Sequence, residues 1–164
     1  MKKVTYFTDI DYNDLEEYYE TSIPFENETL EVDLNFDNSS IDEAIIDKIN
    51  NFLNRLANYH TQNLQTIQQD YMDGNTIRDY LQFHLDNCSQ EEINEIINKE
   101  NTEENIEEQL LRAIRLVRVG LYPEQEASDH FAVFDYSLGR DLTDQLIVIS
   151  LTENGTFEQI TTES

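Results

Sequence analysis

Two hydrophobic periods follow one another along this chain, and the order in which they change limits its folds more than any other feature. Leu30, Val32, Leu34 and Phe36 alternate with Glu31, Asp33 and Asn35, the period-two pattern of a half-buried strand. From 40 to 113 the apolar residues recur at helical spacing instead. Ile41, Ile45, Ile49, Phe52 and Leu56 begin the series, and Leu64, Ile67 and Tyr71 continue it past a kink. From 116 to 162 the pattern returns to β, and 146–151 is almost wholly apolar, as a central strand would be. Blocks of strands, then helices, then strands predict an α+β domain. Its expected form is one mainly antiparallel sheet built from the N-terminal and C-terminal strands, with the central helices packed on one face. At 164 residues the chain suits a single domain over 1–164, with 3–37 β, 40–113 helical and 116–162 β.

Punctuation is sparse, with four Gly and two Pro, so Asn and Ser supply many of the boundaries. Strands are expected at 4–7 and 18–25, the second weakened by Pro24, with Asn27-Glu28 turning into the alternating segment. Ser40 with Glu43, and Ser89 with Glu92, read as capping boxes. Asp73-Gly74-Asn75 separates two helices, the second carrying Ile77, Tyr80, Leu81 and Leu85. Asn101 with Glu104 is expected to cap the last helix. Strands follow at 116–122, 131–136 and 146–151. Asn154-Gly155 then forms a hairpin into an edge strand at 156–162.

The chain holds 35 acidic and 10 basic residues, a net charge of −25. Large aliphatic and aromatic residues in periodic segments argue against disorder despite that charge. A chain this long buries roughly 68–70% of its unfolded surface, enough for a core without staples. The charge excludes simple nucleic-acid binding, which needs clustered Lys and Arg, and disfavours an anionic membrane surface. No apolar run reaches transmembrane length. Asp9 and Asp11 follow Lys2-Lys3 too soon for a signal peptide. Cys88 is the only cysteine, which precludes an internal disulfide and points to a cytoplasmic setting.

Several constellations copy the spacing of chemical sites. Asp9, Asp11, Asn13 and Glu20 fall at ligand positions of an EF-hand loop, but Asp14 stands where Gly is needed and Glu16 where an apolar residue is needed. His84 and Cys88 are four apart on a predicted helix, with no third metal ligand nearby in sequence. Cys88 and His130 could be imagined as nucleophile and base, yet Asp86, Glu91 and Glu92 would suppress a thiolate. Paired acids such as Glu16-Glu17 are too frequent to suggest a glycosidase dyad. No metal site, no catalytic residue and no cofactor is therefore assigned. Phosphate-cradle, nucleophile-elbow and zinc-protease motifs are absent.

The anomaly is basic. Arg112, Arg115, Arg118 and Arg140 are four of ten cations, and three of them fall within seven residues. Arg112 and Arg115 are expected on one helix face, Arg118 on a strand, and Arg140 in a loop after Gly139. Arginine suits bidentate recognition of carboxylate or phosphate, so these four are the candidate anionic-ligand site. The competing reading pairs them internally with Asp135, Asp141 or Asp144.

Three stretches carry a family resemblance: Leu30-Glu-Val-Asp-Leu-Asn-Phe36 leading into the Ser40 helix, Leu116-Val-Arg-Val-Gly-Leu-Tyr-Pro123, and Phe131-Ala-Val-Phe-Asp-Tyr136 with Gly139-Arg-Asp-Leu-Thr-Asp-Gln-Leu-Ile-Val148. In these the chain resembles the bacterial domain-of-unknown-function family number two thousand and four. The resemblance implies one bacterial α+β domain. It implies no reaction and no site residues, and offers only an analogy to small acidic toxin neutralisers.

Three functions follow. The favoured one is a non-enzymatic acidic protein that docks on a basic protein partner, an immunity-type toxin neutraliser being its sharpest version. Its expected contact residues are Glu91, Glu92, Glu103, Glu104, Glu107 and Glu108, and solubility alone would also account for the charge. The second is a binder or enzyme for small anionic ligands, built on the arginine group. It requires a pocket holding at least two of these arginines with no carboxylate already on them. The third is a structural or oligomeric module that adds its terminal strand to a neighbour's sheet.

Overall fold

The alternation at 28–35 builds the strand around which the rest is arranged. In the computed structural model, which describes residues 1–97, 104–124 and 130–164, Glu28–Asn35 forms β4. It pairs antiparallel with Tyr18–Phe25, β3, in the register Tyr19 to Leu34 and Ile23 to Leu30. The turn between them is Glu26-Asn27, one residue earlier than the sequence suggests. Both residues hold positive φ, 48° and 65°, as a two-residue hairpin of matching twist requires.

A short ribbon precedes this hairpin. Lys2–Lys3, β1, pairs with Asp9–Ile10, β2. The strand expected at 4–7 is instead the turn between them. Val4 is fully buried, Tyr6 has φ of 71°, and the Phe7 amide donates to the Val4 carbonyl. β propensity there serves core contact, not pairing.

Five helices follow among the described residues: α1 Glu43–Leu53, α2 Leu56–Asp73, α3 Thr76–Asn87, α4 Gln90–Ile96 and α5 Ile106–Ala113. The first cap is Asp42, whose carboxylate accepts the Ala44 amide, so the Ser40 capping box does not form. The Ser89–Glu92 box does form, with both reciprocal bonds present. Asn105 caps α5 by accepting the Glu108 amide, whereas Asn101 lies outside the described residues.

The C-terminal strands are β5 Arg115–Leu121, β6 Ala132–Ser137, β7 Leu146–Leu151 and β8 Phe157–Glu163. They complete a six-stranded sheet in the order β3-β4-β5-β6-β7-β8. Every neighbouring pair is antiparallel except β4 and β5, which run parallel where the helical block crosses over. The expected α+β architecture is therefore the observed one.

The helices lie against one face of this sheet. Phe52 of α1 packs on Phe131 and Phe134, and His60 of α2 stacks on Tyr136. Tyr80 of α3 donates to the Gln145 carbonyl and accepts the Leu138 amide. The core is continuous from Leu30, Val32 and Leu34 through Val119, Phe134 and Ile149 to Ile46, Ile49 and Leu81. No described helix is long and apolar enough to cross a membrane.

Candidate functional site

The four arginines do not form one cluster, although Arg112 and Arg115 line one groove and Arg115 and Arg140 line a smaller hollow of about 180 Å³. α5 ends at Ala113, so Arg112 closes a helix while Arg115 opens β5, and the shared helix face does not exist. Each meets a carboxylate. Arg112 pairs with Glu104, Arg115 with Glu28 at 3.3 Å, and Arg140 with Glu31 at 2.9 Å. The exposed ends of these pairs contribute little to stability.

Arg118 is different. It lies on the sheet face away from the helices, opposite Glu31 on β4 and Asp135 on β6. Its Nε and Nη2 donate to the two oxygens of Asp33 at 2.7 and 2.9 Å, and Nη1 donates to Asp135 at 3.1 Å. Nη2 also reaches the Tyr122 hydroxyl. A Cβ on Gly120 would stand 2.4 Å from Nη2, so the guanidinium occupies space that only glycine leaves. Burial works against the Arg118 charge, but the bonds to Asp33 and Tyr122 outweigh it and strengthen its hold on the proton. Burial raises the Asp135 carboxyl above its ordinary value, and Arg118 offsets this only partly. This is a closed charge network with no free donor fork for an external anion.

The other constellations also resolve into local contacts. Asp11 accepts the Asn13 amide in a turn, Glu20 accepts the Tyr18 hydroxyl within β3, and no group of three potential metal ligands gathers among the described residues. His84 is fully buried, with Nδ1 2.7 Å from the Tyr80 carbonyl. Cys88 ends α3, and burial together with Glu92 pushes its thiol up, away from a thiolate. The His130 ring lies 3.8 Å from Glu158.

The expected acidic contact residues divide. Glu92 is engaged by Ser89 in the α4 cap, Glu104 by Arg112, and Glu107 by Arg78 at 3.3 Å. Glu91 and Glu108 are exposed, and Glu103 lies outside the described residues.

Arg112, Arg115 and Glu92 border a groove of about 830 Å³ that composition alone does not reveal. α2 supplies Leu64 and Ile67 to its floor, α4 supplies Ile96, and the end of α5 supplies Leu111 and Ile114. Leu138 and Leu142 close it from the loop after β6. Leu64 remains 40% exposed although it follows the helical stripe of the core. The rim carries Glu26 and Glu28 at the hairpin turn, Glu92 and Glu95 on α4, and Asp141 in the β6–β7 loop. Its two cations, Arg112 and Arg115, are the ones already paired.

His60 borders the groove and is 2% exposed. Its Nδ1 is 3.0 Å from the Tyr136 hydroxyl and its Nε2 is 3.2 Å from Glu26. Burial keeps the Tyr136 phenol protonated far above its ordinary value. A carboxylate only accepts, so Nε2–H donates to Glu26, while Nδ1 and the Tyr136 hydroxyl share the second hydrogen bond. The chain of bonds fixes the turn to α2 and β6. His60 shares the α2 stripe of Leu56, Tyr59, Asn63 and Ile67, and that phase was the one sequence sign of its burial.

The fold and groove together define an α+β domain with an acid-rimmed apolar cleft. No protein-family model matches the chain, no curated protein matches it, and no solved structure matches it.

Proposed function

We propose that this protein is a non-enzymatic binding protein that docks on a basic protein partner, with a neutraliser of a basic toxin as its most specific form. One observation carries the reading. Lys2, Lys48, Arg78, Arg112, Arg115, Arg118 and Arg140 each sit within 4.0 Å of a carboxylate of the same chain. These seven of the ten cations are engaged within the chain, and the acidic surplus behind the net −25 is what a partner would meet. Such a field speeds encounter with a basic partner and selects against acidic ones. A cytoplasmic setting, where a lone thiol stays reduced, accords with it.

The anionic-ligand reading finds less support, since each of its four arginines already has a carboxylate partner. The test is affinity capture from the native cells at low and high salt, beside a charge-matched acidic control. The expected result is one basic protein, absent from the control, that binds the purified chain in a defined stoichiometry and weakens with salt. Capture of only what the control captures would assign the charge to solubility.

A further inference from the structure

The geometry points to the groove between α2, α4, the end of α5 and the β6–β7 loop as the seat of a basic amphipathic segment of a protein partner. In this arrangement aliphatic side chains of the segment cover the floor, and its Lys or Arg residues reach Glu26, Glu95 and Asp141. The inference rests on the reading of the chain as a docking protein for basic partners and adds where and how the partner binds.

Two features of the groove select this occupant. The floor is aliphatic, and Leu64 is a large apolar side chain left 40% exposed at its edge. Covering such surface removes apolar area from water and is favourable. The rim is acidic, and its cations are already neutralised by Glu104 and Glu28. A second copy of this chain would bring its own −25 against that rim, and an anionic ligand would meet Glu26, Glu95 and Asp141 with both arginines of the groove already paired. A purely polar cation would satisfy the rim but leave the floor wet. At about 830 Å³ the groove has the size of an enclosed ligand site and holds a short segment, not a flat protein face.

The test uses the full chain and a fluorescent synthetic peptide of Leu and Lys spaced as an amphipathic helix, with a shuffled peptide of equal composition. Binding is followed by anisotropy. Leu64→Glu removes floor surface at an exposed position, and Glu95→Lys reverses one rim charge. Glu16→Lys makes the same charge change at the far end of β3 from the Glu26 turn. Loss of about 1.4 kcal/mol is a tenfold loss of affinity. The expected result is a weakening of about tenfold or more for each groove variant, at most about twofold for Glu16→Lys, and poor binding of the shuffled peptide. Matching circular dichroism of the variants excludes misfolding, and Leu64→Gln replaces Leu64→Glu should that variant fail to fold.

Peptide binding that ignores both groove variants, or falls equally with Glu16→Lys, would overturn the groove while leaving docking on an acidic surface intact. No binding of the amphipathic peptide would also overturn it, and salt-sensitive capture then decides the broader reading alone. Displacement by spermine that is itself abolished by Glu95→Lys but indifferent to Leu64→Glu would assign the rim to small polyamines and overturn the segment.

Discussion

Arg118 shows how far one side chain's role can depart from its sequence neighbours. Arg115 and Arg140 make exposed pairs, and replacing either by Met should change stability by less than about 0.5–1 kcal/mol. Arg118→Met instead strands Asp33 and Asp135, which are 2% and 5% exposed. An expected loss of about 3 kcal/mol in urea unfolding follows from uncompensated buried charge. A loss no larger than that of Arg140→Met would refute the closed network. Gly155 offers a second contrast. Its φ is +78° and an added Cβ would lie 2.1 Å from the Tyr59 ring. Gly155→Ala should cost about 3 kcal/mol through left-handed strain and overpacking combined. His84 provides the pH term. Burial lowers its value from 6.5, with the Tyr80 carbonyl opposing. The unfolded chain therefore takes up this proton first as pH falls. The stability contributed by the neutral ring is present above about pH 6.5 and is lost as pH falls toward the lowered folded value. Unfolding curves between pH 7 and 5 should show a component, at most about 1.4 kcal/mol per unit, that His84→Gln lacks. Identical slopes for the two proteins would contradict it.

At the scale of elements, local chemistry was legible where the signal is local. The Ser89–Glu92 box appears as expected because both partners are three residues apart on one turn. Ser89→Ala should cost about 1 kcal/mol, and amide exchange across Gln90–Ile96 should rise more than in α2. Uniform exchange across both helices would argue that packing, not the cap, holds α4. Ser40 carries the same motif and fails, because Asp42 offers a carboxylate to the Ala44 amide two residues nearer the helix. The hairpin turn moved to Glu26-Asn27 because register follows the facing apolar residues Ile23 and Leu30, not the preference of the turn itself. The bond from His60 to Glu26 is one of the contacts that make an acid tolerable at a left-handed position.

The whole molecule carries its charge as a field. With a net −25, self-repulsion opposes the folded state, and screening relieves it. Added sodium chloride should therefore raise the thermal midpoint by a few degrees, even though it weakens the surface ion pairs. A midpoint that falls with salt would show that the internal pairs outweigh the repulsion. The groove also belongs to this scale. Its lining comes from α2, α4, the end of α5, the β3–β4 turn and the β6–β7 loop, and residues such as Glu26 and Asp141 meet there from opposite thirds of the chain.

Backbone geometry imposes periods of 2.0 on strands and 3.6 on helices, and those periods are written in consecutive residues. The sequence by itself therefore determined the α+β class, the order of its blocks, most strand positions and the acidity of the surface. Only the tertiary structure decided the rest. That β4 lies beside β5 in parallel depends on a crossover through all the helices, which no local pattern records. Asp33 sits on the polar side of an alternating strand, yet it is buried because Arg118 folds over the gap at Gly120. Arg112 and Arg115 share no helix face, because the helix ends between them, whereas the bulge between Leu116 and Arg118 sets Arg115 and Arg118, opposite Ser137 and Asp135, on the same face of the sheet. Leu64 follows the spacing of a core residue and lines a groove instead, since which apolar positions are covered depends on what packs above them.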